Sequence, residues 1–451
     1  MSVQATLATR KEELRRRVEA LPKEVKDWKD RTLNDLDQNL HFSQVQAIGI
    51  LMNAFAEQQT DLLGQIDPKG NPTAFQDTAL DLVKGIIRSQ RVWDFFRDKL
   101  DLRFSPTFKE VLWVTDTVAW DCYRPVLEAA ADAGILERAS LREPPLTYLT
   151  AEFSPATWIR GSRPNDGRDY QLGSSRLPIP VIELPWDHVE NTWEFMSLHH
   201  EVGHDLEADL KLRGVLATSL QTVLSNGGVP VERVQQWLNW QGEVFADLVG
   251  LQLGGPAFAE ALMHLLLLPA AMVTTFDPSD PHPTHYPRIL MNAAYIPTMI
   301  PDHEPLANHG KESGERWVAI YGQQPQFDQV INDFPFVFRA LMDTPLAELK
   351  GMTVRQLMQY MPADDLRIRN AIGYMRTGNN KPGNLRPRHC ISAARLAVTQ
   401  AALEGVLSSE LLSLINMRAM ELVRSNAQGG LRGADGSTPH KKFIASFVER
   451  L

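Results

Sequence analysis

Cysteine is nearly absent from the chain, because its 451 residues include only Cys122 and Cys390, which lie far apart. Two cysteines cannot form the disulfide framework of a small secreted protein, so a reducing cytosol is the simplest location. The N-terminus turns charged within ten residues and has no apolar core of signal-peptide length. We therefore predict a cytoplasmic protein, with export by a signal-independent route left open.

Long hydrophobic runs are also missing. The most apolar segment, residues 261 to 273, is too short to span a bilayer and contains His264 and Pro269. It predicts a buried helix in a soluble protein and no transmembrane span. Inside such an apolar helix, His264 is expected to be a core histidine with satisfied hydrogen bonds.

The chain has no excess of positive charge, since 46 Lys and Arg residues face 55 Asp and Glu residues, a net charge of -9. This balance argues against a nucleic-acid binder whose affinity comes from overall charge. A basic run between residues 367 and 388 leaves a local patch possible, but aromatic residues interleave poorly with it. The sequence thus gives no strong nucleic-acid signal.

Helical periodicity dominates both ends of the chain. Residues 1–138 and 306–451 space their apolar residues at three and four, apart from a Gly-rich linker at 429–436. Prolines and glycines break this pattern between residues 143 and 186, where short strands are expected at 146–153 and 180–184. We predict a mainly α (α+β) fold with three regions: 1–138, 139–305 and 306–451.

Two further features of the central region are predicted from local sequence. Asp187 and Glu190 form a capping-box pattern, which places the start of a helix at Asp187 and its end near Gly214. The segment 276–305 is rich in Pro and His and is typical of a long loop, with at most a short helix at 288–295.

The segment SLHHEVGHDLE, residues 197–207, lies within the predicted helix. His200 and His204 are four residues apart, so both project from one face and can reach one zinc ion at ~2.0 Å. Glu201 lies about 100° around the helix, where its carboxylate can take a proton from a metal-activated water.

A histidine-rich solvated helix face is the competing interpretation of this segment. Its many apolar neighbours favour a buried helix instead, and buried His and Glu residues need partners, which a metal would provide. The other polar residues of the segment have simpler roles. His199 is expected to pack or to contact substrate, and Asp205 and Asp209 are expected to be solvated.

A third metal ligand is expected on a second helix. The metzincin pattern is excluded, because Glu207 and Leu210 occupy the positions of its glycine and third histidine. A helix predicted to begin at Pro230 and to end at Gly254-Gly255 carries Glu243 and Asp247 four residues apart. Glu243 can ligate zinc while Asp247 accepts the N–H of a ligating histidine.

These motifs resemble those of the gluzincin zinc metallopeptidases. The E-x-x-A-D pattern at residues 243–247 and the H-P-x-x-x-x-R segment from His282 to Arg288 are also similar to the prenyl-protein-processing membrane peptidases and their bacterial relatives. The resemblance covers roughly residues 180 to 292. It departs from those membrane enzymes in having no transmembrane helix.

The resemblance implies a zincin-like catalytic core in residues 139–305, with PVIEL (180–184) as an edge strand over the active-site helix. It implies that zinc polarises an amide carbonyl while Glu201 acts as general base. The oxyanion then needs a donor. His282 and Arg288 match the family segment best, and the other candidates are His285 and Tyr286. An equal alternative for Arg288 is a structural role instead of a catalytic one, in which it pairs with a buried carboxylate such as Asp247.

Three functions therefore remain open. The first is a zinc metallopeptidase acting on a protein or peptide substrate, with helical flanks that shape access to the cleft and restrict specificity. The second is a zinc-stabilised interaction or scaffold protein without turnover. The third is a zinc hydrolase of a non-peptide amide. The retention of Glu201, which a structural zinc site does not need, favours an enzyme.

Overall fold

The computed structural model describes residues 2–33, 41–138, 141–163, 176–427, 438–445 and 447–448. Helices dominate it, and the mainly α prediction with a small sheet is confirmed. The four N-terminal helices are α1 (Val3–Leu33), α2 (Phe42–Gln65), α3 (Pro72–Asp101) and α4 (Lys109–Asp132). None of the described helices is long and apolar enough to cross a membrane.

The remaining helices follow the sheet. The central ones are α5 (Ser197–Asp209), α6 (Arg213–Asn226), α7 (Val231–Gly254), α8 (Pro256–Leu265), α9 (Ala270–Thr274) and α10 (His285–Met299). The C-terminal ones are α11 (Glu304–Tyr321), α12 (Asp328–Asn332), α13 (Phe334–Phe338), α14 (Val354–Leu357), α15 (Pro362–Thr377), α16 (Pro387–Leu403), α17 (Ser409–Asn426) and α18 (Thr438–Ala445).

The sheet has three strands, β1 (Leu146–Thr150), β2 (Ala156–Trp158) and β3 (Val181–Pro185), in the order β1-β3-β2. β1 runs parallel to β3 and β2 runs antiparallel to it. The expectation that PVIEL forms an edge strand is therefore wrong. β3 is central and fully buried even though it carries Glu183, and the two edge strands are β1 and β2.

Buried apolar side chains form three clusters around this sheet. One joins α1–α3 to Leu146, Tyr148 and Val181, and a small one ties α1, α2 and α3 together at the far end of these helices. The largest contains Leu149 and Ile182 and extends from α4 to α17, so it draws on all three predicted regions. The sheet thus lies between the N-terminal helices and the helices that carry the histidine motif.

The histidine-bearing helix begins later than predicted. Two short 3-10 helices, Trp186–Glu190 and Thr192–Met196, precede α5, which starts at Ser197. They are separated at Asn191, whose φ of -129° and ψ of 69° are not helical, and no side chain caps the first of them. The capping box expected at Asp187 is therefore absent, and α5 ends at Asp209 instead of near Gly214.

Two other local predictions were wrong. The apolar run 261–273 is not one buried helix: α8 ends at Leu265, α9 begins after Pro269, and His264 is exposed. The segment 276–305 contains α10, a helix of 15 residues that is much longer than expected. The predicted Gly-rich linker at 429–436 lies outside the described residues.

Helices α5 and α7 approach each other closely at a pair of small residues. A Cβ atom built on Gly203 would lie 2.9 Å from the Cα atom of Ala246 and 3.2 Å from its Cβ atom. Real Cβ atoms do not come so close to backbone, so the helices can reach this spacing only with glycine at position 203. Gly203 lies within the predicted metal-binding motif of α5, and Ala246 lies within that of α7.

We expect Gly203→Ala to lower the free energy of unfolding by about 1–3 kcal/mol, because the added methyl group forces α5 away from α7. Thermal unfolding measures the change. Gly373→Ala is the matched control, since Gly373 lies in the exposed interior of α15 with nothing within 4 Å of a built Cβ. That control should gain about 0.5–1 kcal/mol. An equal gain in Gly203→Ala would contradict the close packing.

Candidate metal centre

The close approach of α5 and α7 brings the three predicted ligands together. The Nε2 atoms of His200 and His204 are 3.1 Å apart. The Glu243 carboxylate reaches both rings, with Oε2 at 3.3 Å from His200 Nε2 and Oε1 at 3.4 Å from His204 Nε2. Among the described residues, these three are the one group of His, Cys, Asp and Glu side chains with the spacing of a metal site.

These distances fit a tetrahedral metal ion. Ligand atoms at ~2.0 Å from a tetrahedral centre are about 3.3 Å from one another, close to the three separations in the site. Two neutral imidazoles and one carboxylate are also a donor set that zinc uses in catalytic sites. The residues present therefore fit Zn²⁺ in both spacing and chemistry.

Asp247 holds the first histidine in the orientation that a metal requires. His200 Nδ1 donates a hydrogen bond to Asp247 Oδ1 at 2.9 Å, which leaves Nε2 free to face the other ligands. Arg288 in turn grips Asp247 through Nε and Nη2, at 2.7 and 2.8 Å, and Asn292 Nδ2 donates to Oδ2 at 3.2 Å. Helix α10 thus fixes the carboxylate that orients the ligand.

The two carboxylates beside His200 favour a positive charge between them, which a proton or a metal ion can supply. Burial lowers the pKa of His200, but its hydrogen bonds to Asp247 and Glu243 outweigh burial and raise that pKa to about 10. Burial raises the pKa of the Asp247 carboxyl, yet Arg288 and His200 bring it down to about 2. Burial also raises the pKa of the Glu243 carboxyl, but its hydrogen bonds with both imidazoles outweigh burial. The pKa of Glu243 therefore lies well below its ordinary value.

Glu201 lies beside the ligand group without belonging to it. Its side chain is buried but lines the same cleft as His200, His204 and Glu243. Burial raises the pKa of the Glu201 carboxyl, and the negative charge of Glu243 acts in the same direction. A carboxylate in this position can accept a proton and later release it.

The ligands open into a cleft of about 630 Å³, a size that suits a small ligand or a few residues of a chain. One side is formed by the β1–β2 connection and strand β2, residues 153–157 and 159. Another side is apolar and comes from α8 and the turn after it, with Phe258, Ala261, Leu262, Leu265, Leu266 and Leu268.

The four candidates for the oxyanion donor differ in whether the structure brings them to the cleft. His282 and His285 line the cleft, and His282 Nε2 lies 3.6 Å from Glu243 Oε2. Arg288 lines it too, but Asp247 holds its guanidinium, in accord with the structural alternative. Tyr286 is buried and its hydroxyl donates to the carbonyl of Gly322, outside the cleft lining. The structure therefore does not bring Tyr286 into the site.

Several residues that sequence reasoning did not assign also line the cleft. They are His188, Glu194 and Arg213, and Glu207, which was considered only in excluding the metzincin pattern. Glu207 follows His204 by three residues on one helix, so the spacing rule that found the histidines also places it on their side. The other three lie on separate elements, and no spacing signal in the sequence connects them to the motif.

The two remaining acids of α5 are not solvated as predicted. Asp205 is buried and close to Thr157 of β2, whose hydroxyl donates to Oδ1 at 3.3 Å. Asp209 is paired with the buried Arg160, whose Nε lies 3.2 Å from Oδ1. Both acids therefore tie α5 to strand β2 and the residues that follow it. His199, by contrast, is fully buried and packs against Gly254, one of its two predicted roles.

Comparisons of the chain with protein-family models, with curated proteins and with solved structures gave no match.

Proposed function

We propose that the protein is a zinc-dependent metallopeptidase with a zincin-like core formed by the sheet, α5 and α7. The observation that carries this proposal is the group of His200, His204 and Glu243 at tetrahedral spacing, open to a cleft that Glu201 also lines. Zn²⁺ held there would supply a Lewis acid that polarises an amide carbonyl and makes water nucleophilic at neutral pH.

The side chains of the cleft have distinct roles in this reaction. Glu201 accepts the proton of the attacking water and passes it to the leaving amine. In this proposal His282 or His285, which both line the cleft, donates a hydrogen bond to the developing oxyanion. Arg288 positions two of the ligands: it holds Asp247, which orients His200, and its Nη2 donates to Glu243 Oε2 at 3.3 Å.

Strand β2, which lies at an edge of the sheet, favours a peptide substrate over a non-peptide amide. In the described part of the chain, β2 pairs only with β3, and its residues line the cleft. An extended peptide can add to such a strand through backbone hydrogen bonds, which a small non-peptide amide cannot do. The scaffold alternative is less favoured, because a structural zinc site is closed by four protein ligands, whereas this group opens into a cleft.

The proposal is tested by loading the full chain with zinc and incubating it with a peptide library digested from a whole proteome. Mass spectrometry should detect new peptide ends, which vanish when a chelator removes the metal and return when zinc is restored. Zinc binding that raises the melting temperature, with no cleavage of any peptide, would instead favour the scaffold function.

A further inference from the structure

One cationic side chain of the cleft has no part in the reaction described so far. Arg213 is the first residue of α6, and its side chain lines the cleft and is exposed. A Cβ atom built on Gly242 would lie 4.0 Å from Arg213 Nη2. The guanidinium therefore lies next to the residue that precedes the ligand Glu243.

The charge of Arg213 is only partly offset. Among the described residues, Arg213 and Arg288 are the two Lys or Arg side chains that line the cleft, and Arg288 is held by Asp247. In the same part of the chain, no carboxylate oxygen lies within 4.0 Å of the Arg213 guanidinium. Glu207 faces it at longer range, while its Oε1 accepts a hydrogen bond from Gln241.

Gly242 leaves room for a ligand to approach this guanidinium. The position of its missing Cβ is 3.9 Å from Glu207 Oε2 and 4.0 Å from Arg213 Nη2, so a larger side chain there would crowd the guanidinium and the Glu207 carboxylate. A guanidinium offers paired donors that match the two oxygens of a carboxylate.

We propose that Arg213 binds a carboxylate of the substrate beside the bond that is cleaved. The substrates are then peptides with an acidic side chain, or a free C-terminal carboxylate, at that position. This inference rests on the peptidase function, because it concerns which peptides enter the same cleft.

The test measures peptide binding by the full chain carrying Glu201→Gln and loaded with zinc. The probes are four pools of N-acetylated hexapeptides, each with Glu or Gln fixed at one internal position and with a free or amidated C-terminus. Retention of each pool is quantified by mass spectrometry. Pools with a carboxylate should be retained about tenfold better than the neutral pool, as expected for a charge-assisted pair.

Adding Arg213→Gln should abolish this preference without changing zinc content, and Arg213→Glu should reverse it in favour of the neutral pool. Arg16→Gln is the matched control, since Arg16 is an exposed arginine of α1 outside the cleft. A preference for free C-termini alone identifies the terminal carboxylate. A preference for internal Glu regardless of the terminus identifies an acidic side chain.

Two negative outcomes of the binding experiment lead to different conclusions. Peptide retention that does not depend on a carboxylate, or that keeps the same preference in Arg213→Gln, overturns the role of Arg213 and leaves the peptidase function standing. If zinc-loaded Glu201→Gln retains no pool at all, both the peptidase function and the role of Arg213 are rejected.

Discussion

We expect the wild-type protein to bind about one zinc ion per chain and Glu243→Gln to lose it. The substitution keeps the shape of the side chain but replaces the anionic ligand with a neutral amide, while the two imidazoles and Asp247 stay in place. Affinity should fall by at least about 100-fold, the upper end of the loss caused by changing an outer partner of a metal ligand. His204→Ala should have a similar effect. Elemental analysis of the purified and reconstituted proteins measures the metal.

Two controls separate ligation from loss of folding or of general charge. Glu232→Gln makes the same chemical change at an exposed position in the first turn of α7, and His264→Ala removes an exposed histidine of α8. Both should keep their zinc. A folded wild-type chain without zinc after reconstitution would show that His200, His204 and Glu243 hold no zinc, and the peptidase function would be rejected with the metal site.

Glu201→Gln is expected to lower the rate of peptide cleavage by about 10²–10⁴-fold, the usual contribution of a general base. Its zinc content should stay unchanged, because Glu201 is not one of the three residues that approach one another as ligands. The rates are measured on the peptides that the wild-type protein cleaves in the proteome-derived library. The combination of lost turnover and retained metal is what distinguishes a proton-transfer residue from a ligand.

Glu190→Gln provides the comparison, since Glu190 is an exposed acid just before α5 and does not line the cleft. It should cleave at the wild-type rate. Full activity in Glu201→Gln would assign the proton transfer to another group. Loss of zinc together with activity would mean that Glu201 supports the ligands instead of acting on water.

The site was more predictable than the chain around it, for a physical reason. His200 with His204, and Glu243 with Asp247, are pairs four residues apart within single helices, so helical geometry alone places each pair on one face. The hydrogen bond from His200 to Asp247 follows from pairing these two faces. Arg288 was placed by the resemblance of its segment, and its grip on Asp247 matches the structural alternative.

The predictions that were wrong depend on contacts between segments that are distant in sequence. Asp205 and Asp209 look solvated on a helical wheel, but Thr157 and Arg160 of the sheet region bury and pair them. The start of α5 could not be found from a capping pattern, because the preceding chain takes two 3-10 turns that pack into the main core. Arg213 shows no motif at all, and only the fold brings it beside Gly242.

The described residues that line the cleft all lie between Phe153 and Arg288, while the largest core extends through α17. In the part of the chain that the structure describes, the flanking helices therefore pack around the cleft without lining it, which differs from the role expected for them. Changes in substrate preference and changes in stability can then arise at separate positions of the sequence. Such a protein can acquire a new specificity through a few substitutions in one continuous segment while the rest of the chain continues to hold the ligands in place.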